Sequence, residues 1–185
     1  MSCAEVVSVN GARGADGVHE LRLRAEPLTA EAFAPYGQVI ERSHRHNYPV
    51  NGGSSQRFDD LAQLEADPEG RLALSIFQAT ARQSPFMLNI MERHPLGSQA
   101  FIPLHGQRFL IVVAASRPDP AAADITPLKA FLSNGQQGVN FRRGVWHHPL
   151  LALADGDFLV ADRRGAGHNC DEIDITPWQL GVVIA

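Results

Sequence analysis

Long apolar runs are missing from this chain of 185 residues: the longest uninterrupted one, Phe109 to Ala115, is far below the roughly 20 residues that a membrane-spanning helix needs. No spanning segment is expected. The opening residues, MSCAEVVSVNGARGADGVHE, contain no basic stretch leading into an apolar one, so they do not read as a secretory signal, and the cytoplasm is the expected compartment. Cysteine is scarce. Cys3 and Cys170 have neither metal-site spacing nor the density of a disulfide framework, which leaves them as reduced, incidental thiols. Sixteen basic residues against twenty acidic ones give a formal charge of -4, and the arginines form no basic stripe with interleaved aromatics, so nucleic acid is not an expected partner. Glycine-rich phosphate loops, internal repeats and low-complexity tracts are also absent, which removes the usual signature of a nucleotide cofactor and of a repeat array. Lysine is almost absent too: Lys129 is the only one. A lowered pKa would make it a base or a Schiff-base nucleophile, but a snorkelling surface lysine is the preferred reading.

What the chain does contain is an ordinary globular composition, 44% apolar and 19% charged, and enough length for one domain with a proper core. The first twenty residues, rich in small types and without an apolar period, are expected to form a flexible N-terminal extension, with one domain over residues 21–185. Short β-rich runs dominate that domain. They are Leu21 to Leu28, Leu72 to Ala79, Phe86 to Glu92, Ala100 to Pro103, Phe109 to Ala115, Leu128 to Leu132, Phe158 to Asp162 and Trp178 to Ile184, punctuated by Gly- and Pro-containing turns. Thr29 is placed to cap one helical turn through Phe33, and Asp59 to Glu65 is the only other stretch with a helical look. Glu65 to Arg71 and Ser116 to Pro127 read as exposed spacers. The fold class expected is all-β, an antiparallel sandwich, barrel or jelly roll with one or two short helices.

Two stretches carry the chemistry, MERHPLGSQAFIP and QGVNFRRGVWHHPL. Glu92 and His94 are two residues apart at the end of a strand-like run, so period-2 alternation sends both side chains to one face. Gln99 and His147 would reach the same polar centre from other strands. Two imidazoles and a carboxylate suit a divalent transition metal with open positions, Gln99 serving as a weak fourth ligand. Each histidine taken singly has an ordinary explanation as a hydrogen-bonded residue of a polar core. Alternation from Phe141 to His147 places Arg143 in the interior beside His147, provided no bulge intervenes, and a guanidinium there would match a small carboxylate in bidentate fashion. Arg142 reads as a solvated surface residue or a partner of Asp162, and Trp146 and His148 as packing residues at a subunit contact. Asn51, Gly52, Gly53 and Arg57 form a second patch, in which a glycine turn would let backbone N–H groups approach a ligand.

The stretches MERHPLGSQAFIPL, FLSNGQQGVNFRRGVWHHPL and DFLVADRRGAGHNCD resemble the ureidoglycolate lyase family, also known as ureidoglycolate hydrolase, of allantoin catabolism. The resemblance runs from about Leu21 to the C-terminus and includes AFAPYGQVI and residues 51–61. It implies a cupin-like jelly-roll barrel. Glu92-x-His94-x4-Gln99-x6-Gly106 lies over the first cupin motif and Arg142-x-Gly144-x2-His147 over the second. Metal cupins show His, His, Glu and His where this chain has Glu92, His94, Gln99 and His147, and proline where it has Arg142. The implied activity is cleavage of ureidoglycolate, a small anionic substrate, to glyoxylate and urea. Glu92, His94 and His147 are the implied catalytic and metal-binding residues, and Asn51, Arg57, Gln99 and Arg143 the implied substrate contacts. The resemblance also implies a divalent metal, with nickel suggested, and a two-fold homodimer. The alternative reading is a non-catalytic cupin-like module that binds or senses a small carboxylate, and a third is another metal-cupin reaction.

Overall fold

A run such as FLIVVA, apolar at every position, is stable as a strand only if both of its faces are covered. All six residues of Phe109–Ala114 are buried. Phe109, Ile111 and Val113 point into one core with Phe101, Val139, Phe141, Phe158 and Val160. Leu110, Val112 and Ala114 point into a second, with Met91, Trp146, Ile175 and Val182. The computed structural model that shows this describes residues 21–42, 47–114 and 127–184. The expected extension, Cys3 within it and nearly all of the expected Ser116–Pro127 spacer lie outside the described residues.

In chain order the strands are β1 Leu21–Pro27, β2 Gly37–Ile40, β3 Asn47–Val50, β4 Ser55–Phe58, β5 Gly70–Ala79, β6 Phe86–Met87, β7 Ile90–Arg93 and β8 Gln99–Pro103. They continue with β9 Phe109–Ala114, β10 Leu128–Leu132, β11 Gly138–Phe141, β12 Trp146–His147, β13 Leu151–Ala152, β14 Gly156–Gly165, β15 Asp171–Asp174 and β16 Leu180–Ile184. One sheet has the order β15-β7-β12-β9-β10-β1-β16-β6, with β13 beside β9; the other runs β2-β11-β8-β14-β5; β3 and β4 form a separate hairpin. Side chains from both large sheets share the first core, so the sheets pack face to face. The second core covers the outer side of the larger sheet. The all-β class with little helix is borne out.

Local chemistry explains the details. Thr29 Oγ1 accepts the Ala32 N–H and starts the helix α1, Ala30–Phe33. Gly37 begins β2 where a Cβ would lie 1.8 Å from the Asn140 carbonyl oxygen, so only glycine lets β2 and β11 close.

Four sequence readings are corrected. Asp59 to Glu65 is not helical. Its Gln63 carbonyl accepts from Asn140 Nδ2 and its Glu65 N–H donates to Ser98 Oγ, so sheet contacts override local propensity. Phe86 to Glu92 is two strands rather than one, because the Leu88 N–H turns aside to the Leu180 carbonyl. The last strand begins at Leu180, after a 3-10 turn over Thr176–Trp178. Glu65 to Arg71 is more than a spacer: Asp67 is buried, and its carboxylate takes Arg163 Nε at 2.7 Å and Nη2 at 3.1 Å.

Candidate active site

β7 and β12 lie side by side with Glu92 opposite His147, which brings residues 55 positions apart in the chain onto one polar spot. β8, from the facing sheet, adds Gln99. His147 Nε2 is 3.4 Å from Glu92 Oε1 and 3.1 Å from Gln99 Oε1, and His94 Nε2 is 3.8 Å from Glu92 Oε1. The two imidazole centroids are 5.3 Å apart. Phe141 stacks flat on His147, with centroids 4.1 Å apart and planes 9° from parallel, so the ring has one orientation. His147 is 1% exposed while Glu92 and His94 are 16% and 14% exposed, so the cluster meets solvent at the carboxylate and the outer imidazole.

Hydrogen bonding fixes which nitrogen of each ring is free. His94 Nδ1 lies 2.7 Å from the Asn169 carbonyl and His147 Nδ1 lies 3.0 Å from the Val145 carbonyl. A carbonyl oxygen only accepts, so both Nδ1 atoms carry a proton and both Nε2 atoms face inward, His147 Nε2 toward Gln99 Oε1 and Glu92 Oε1. His94 Nε2 is buried without a hydrogen-bond partner. Burial works to raise the Glu92 pKa, but the His147 hydrogen bond and the charges of His147, His94 and His148 outweigh it and hold the carboxyl below its usual range. Two imidazole Nε2 atoms and a carboxylate oxygen thus converge, within 4.8 Å of one another. This donor set fits a divalent cation, and the two carbonyls behind the rings are the outer partners that metal-binding histidines use.

The structure brings Glu92, His94, Gln99 and His147 together as expected, while Asn51, Arg57 and Arg143 are exposed. Arg143 is not in the interior. The chain turns at Arg142–Gly144, with Gly144 at φ +76°, which breaks the alternation, and Arg143 lies exposed with Nε donating to the Pro95 carbonyl. Asn51 and Arg57 are exposed on the β3–β4 hairpin, where Arg57 pairs with Asp59 at 2.7 Å. Arg142 is exposed, as expected. Lys129 is exposed and pairs with Glu26 at 3.2 Å, which bears out the surface reading. Trp146 and His148 are buried within the chain itself, Trp146 beneath the Arg93 guanidinium and His148 against Asn89. Three site neighbours were not foreseen: Phe141 as a stacking partner, Asn169 behind His94, and Cys170, whose thiol is 4.0 Å from Glu92 Oε2. Burial first, then Glu92 and Glu172, push that thiol up to about 11, so it is neutral and a poor nucleophile. A loop cysteine gives no sequence signal for such a position.

The class these features define is an all-β domain of two packed sheets whose strands gather a carboxylate and two imidazoles at a solvent-reaching point. The family described as ureidoglycolate lyase matches residues 20–182. A ureidoglycolate lyase of Pseudomonas putida (strain W619) is 52% identical over 160 residues, covering 85% of this chain and 94% of that one. Those of Pseudomonas entomophila (strain L48) and Azotobacter vinelandii (strain DJ) are each 53% identical over 152 residues, covering 81% of this chain and 89% and 90% of theirs. A dTDP sugar isomerase from Desulfovibrio desulfuricans G20 aligns with a TM-score of 0.44 at 17% identity, over 78% of this chain and 89% of that one. The chain belongs to the ureidoglycolate lyase family.

Proposed function

We propose that this protein cleaves ureidoglycolate to glyoxylate and urea, as a step of allantoin and purine breakdown, with Glu92, His94 and His147 as its catalytic residues. The observation that carries this is the convergence of two inward-facing imidazole Nε2 atoms and one carboxylate in a chain about half identical to curated ureidoglycolate lyases. Ureidoglycolate has a hydroxyl, a carboxylate and a urea nitrogen on one carbon. The hydroxyl O–H bond breaks, its electrons form the carbonyl, and the C–N bond breaks, the nitrogen taking up a proton. No water is consumed. One proton leaves oxygen and one arrives at nitrogen, so a base and an acid on either side of the carbon suffice.

His94 Nε2, unpartnered and near the solvent side, takes the hydroxyl proton. Glu92 Oε1 lies between the two rings, 3.8 Å from His94 Nε2 and 3.4 Å from His147 Nε2, and relays that proton toward the leaving nitrogen. Gln99 and the Phe141 stack hold His147 in register. A divalent cation, for which nickel is the family's suggestion, would be held by Glu92, His94 and His147 and, with their donor atoms then engaged, would supply in place of the imidazole base the Lewis acidity that lowers the pKa of the substrate hydroxyl. Gln99, Asn51, Arg57 and Arg143 are the proposed substrate contacts, and of these Gln99 has the direct support of a hydrogen bond to His147.

The protein is further proposed to work as a homodimer in the cytoplasm. β5 closes one edge of its sheet with Leu74 70% exposed and Ile76 57% exposed, an apolar edge that suits pairing with a second copy. No helix among the described residues is long and apolar enough to cross a membrane. The test of function is incubation with racemic ureidoglycolate. A stereospecific lyase releases urea until half the material is gone and then stops; decay of the whole at the uncatalysed rate would contradict the proposal, and ligand binding without turnover would favour the non-catalytic module.

A further inference from the structure

We propose that Asn169 is a positioning residue for His94, gripping both the imidazole and the chain just beyond it so that Nε2 stays aimed at Glu92. The main-chain carbonyl of Asn169 accepts from His94 Nδ1 at 2.7 Å, and its side-chain Oδ1 accepts from the Leu96 N–H at 2.8 Å. One residue therefore holds both ends of the His94–Leu96 turn. The other polar main-chain groups there are already engaged: the His94 carbonyl by the Gly144 N–H at 2.9 Å, the Pro95 carbonyl by Arg143 Nε, and the Leu96 carbonyl by the Asp67 N–H at 2.9 Å. This turn follows directly on β7, where Glu92 sits.

Asn169 is itself anchored to the sheet. It immediately precedes Cys170 and β15, which pairs with β7 so that Glu172 lies opposite Glu92 and Asp171 opposite Arg93. The Arg93–Asp171 ion pair at 2.8 Å fastens that pairing two residues beyond Asn169. Removing the Asn169 side chain frees the Leu96 N–H, slackens the turn and loosens the carbonyl that keeps the His94 proton on Nδ1. The imidazole then samples its other tautomer, in which Nε2 carries the proton and can neither accept the substrate proton nor ligate a cation. Turnover suffers while the substrate's other contacts are untouched.

The kinetic arm of the test rests on the proposed lyase activity; the spectroscopic and metal-binding arms do not. Nitrogen-15 correlation spectra at alkaline pH should show His94 of the unaltered protein in the single Nδ1–H tautomer. In Asn169→Ala both tautomers appear, affinity for added Ni2+ falls about tenfold or more, and kcat for urea release falls by about the same factor with KM changed less than about twofold. Asn169→Asp keeps an acceptor oxygen and recovers most of each loss. Arg164→Ala, exposed near the end of β14 and 3.7 Å from Asp162, leaves all three readouts unchanged. Should Asn169→Ala not fold, Asn169→Ser reads the same tautomer ratio. A single His94 tautomer with unchanged Ni2+ affinity in the folded Asn169 variant, or an equal loss in Arg164→Ala, would overturn the proposal. If the unaltered protein releases no urea, the lyase reading falls and the tautomer ratio alone decides on Asn169.

Discussion

Glu92, His94, Gln99 and His147 reach one point from internal strands of two packed sheets, β7 and β12 in one and β8 in the other, whereas Asn51 and Arg57 share a hairpin whose residues from Asn51 to Arg57 are all exposed. Around the histidines each ring is held from behind by a carbonyl, and His147 is also stacked on Phe141. The hairpin's interactions close on themselves: Arg57 pairs with Asp59, lies 5.9 Å over the Tyr48 ring, and Tyr48 Oη donates to the same Asp59. Both regions carry motifs of the family, yet only one is organised by the barrel core. The fold therefore holds the imidazoles and carboxylate in one arrangement, while the groups of the hairpin are open to competition from solvent.

The largest effect expected is in the histidine region. Glu92→Gln or His147→Ala should lower kcat/KM for urea release by about 10²–10⁴, the usual worth of a positioned acid or base. Equal activity in either variant would erase the contrast between the regions. Removing divalent ions with a chelator should abolish urea release and readdition should restore it; full activity after complete chelation would assign the chemistry to the imidazoles and carboxylate alone. Phe141→Leu keeps an apolar side chain but loses the flat stack, and should cost about tenfold in kcat through the orientation of His147, with KM near its original value. Smallest is the hairpin: Arg57→Ala should raise KM severalfold at unchanged kcat and leave the melting temperature within the usual scatter of surface substitutions, about 0.5 kcal/mol. A large loss of kcat in Arg57→Ala would mean that the hairpin belongs to the catalytic apparatus.

The Glu92 carboxylate also predicts a direction with pH. Its folded pKa lies below the unfolded value, so ionised Glu92 adds to stability above the ordinary glutamate range and the addition fades as pH falls through the lowered folded value. In denaturant titrations Glu92→Gln should show a weaker fall in stability over that acid interval than the unaltered chain.

Period-2 alternation was enough to see that Glu92 and His94 share a face, because β7 is regular up to the point where the chain leaves it. The same rule failed for Arg143. Gly144 adopts a left-handed conformation inside the motif, and the turn carries Arg142 and Arg143 out to solvent before Val145 and His147 return to the side of Phe141. The continuous apolar run at Phe109 was legible as a strand, but not the second core that covers its outer side, since Leu88, Ile175 and Leu180 come from distant parts of the chain. Asp59 to Glu65 looked helical because a heptapeptide shows only its own propensity; its hydrogen bonds go to Asn140 and Ser98, far off in the chain. Asn169 and Cys170 were illegible for a like reason. Their role depends on β15 lying against β7, a pairing between residues 78 positions apart that no local pattern announces.

A crystal structure with glyoxylate bound would test the central claim most directly. The account predicts glyoxylate oxygens within about 3.2 Å of His94 Nε2 or of a cation held by Glu92, His94 and His147, with the aldehyde carbon facing Glu92. Glyoxylate seated elsewhere, with the two Nε2 atoms untouched, would contradict it.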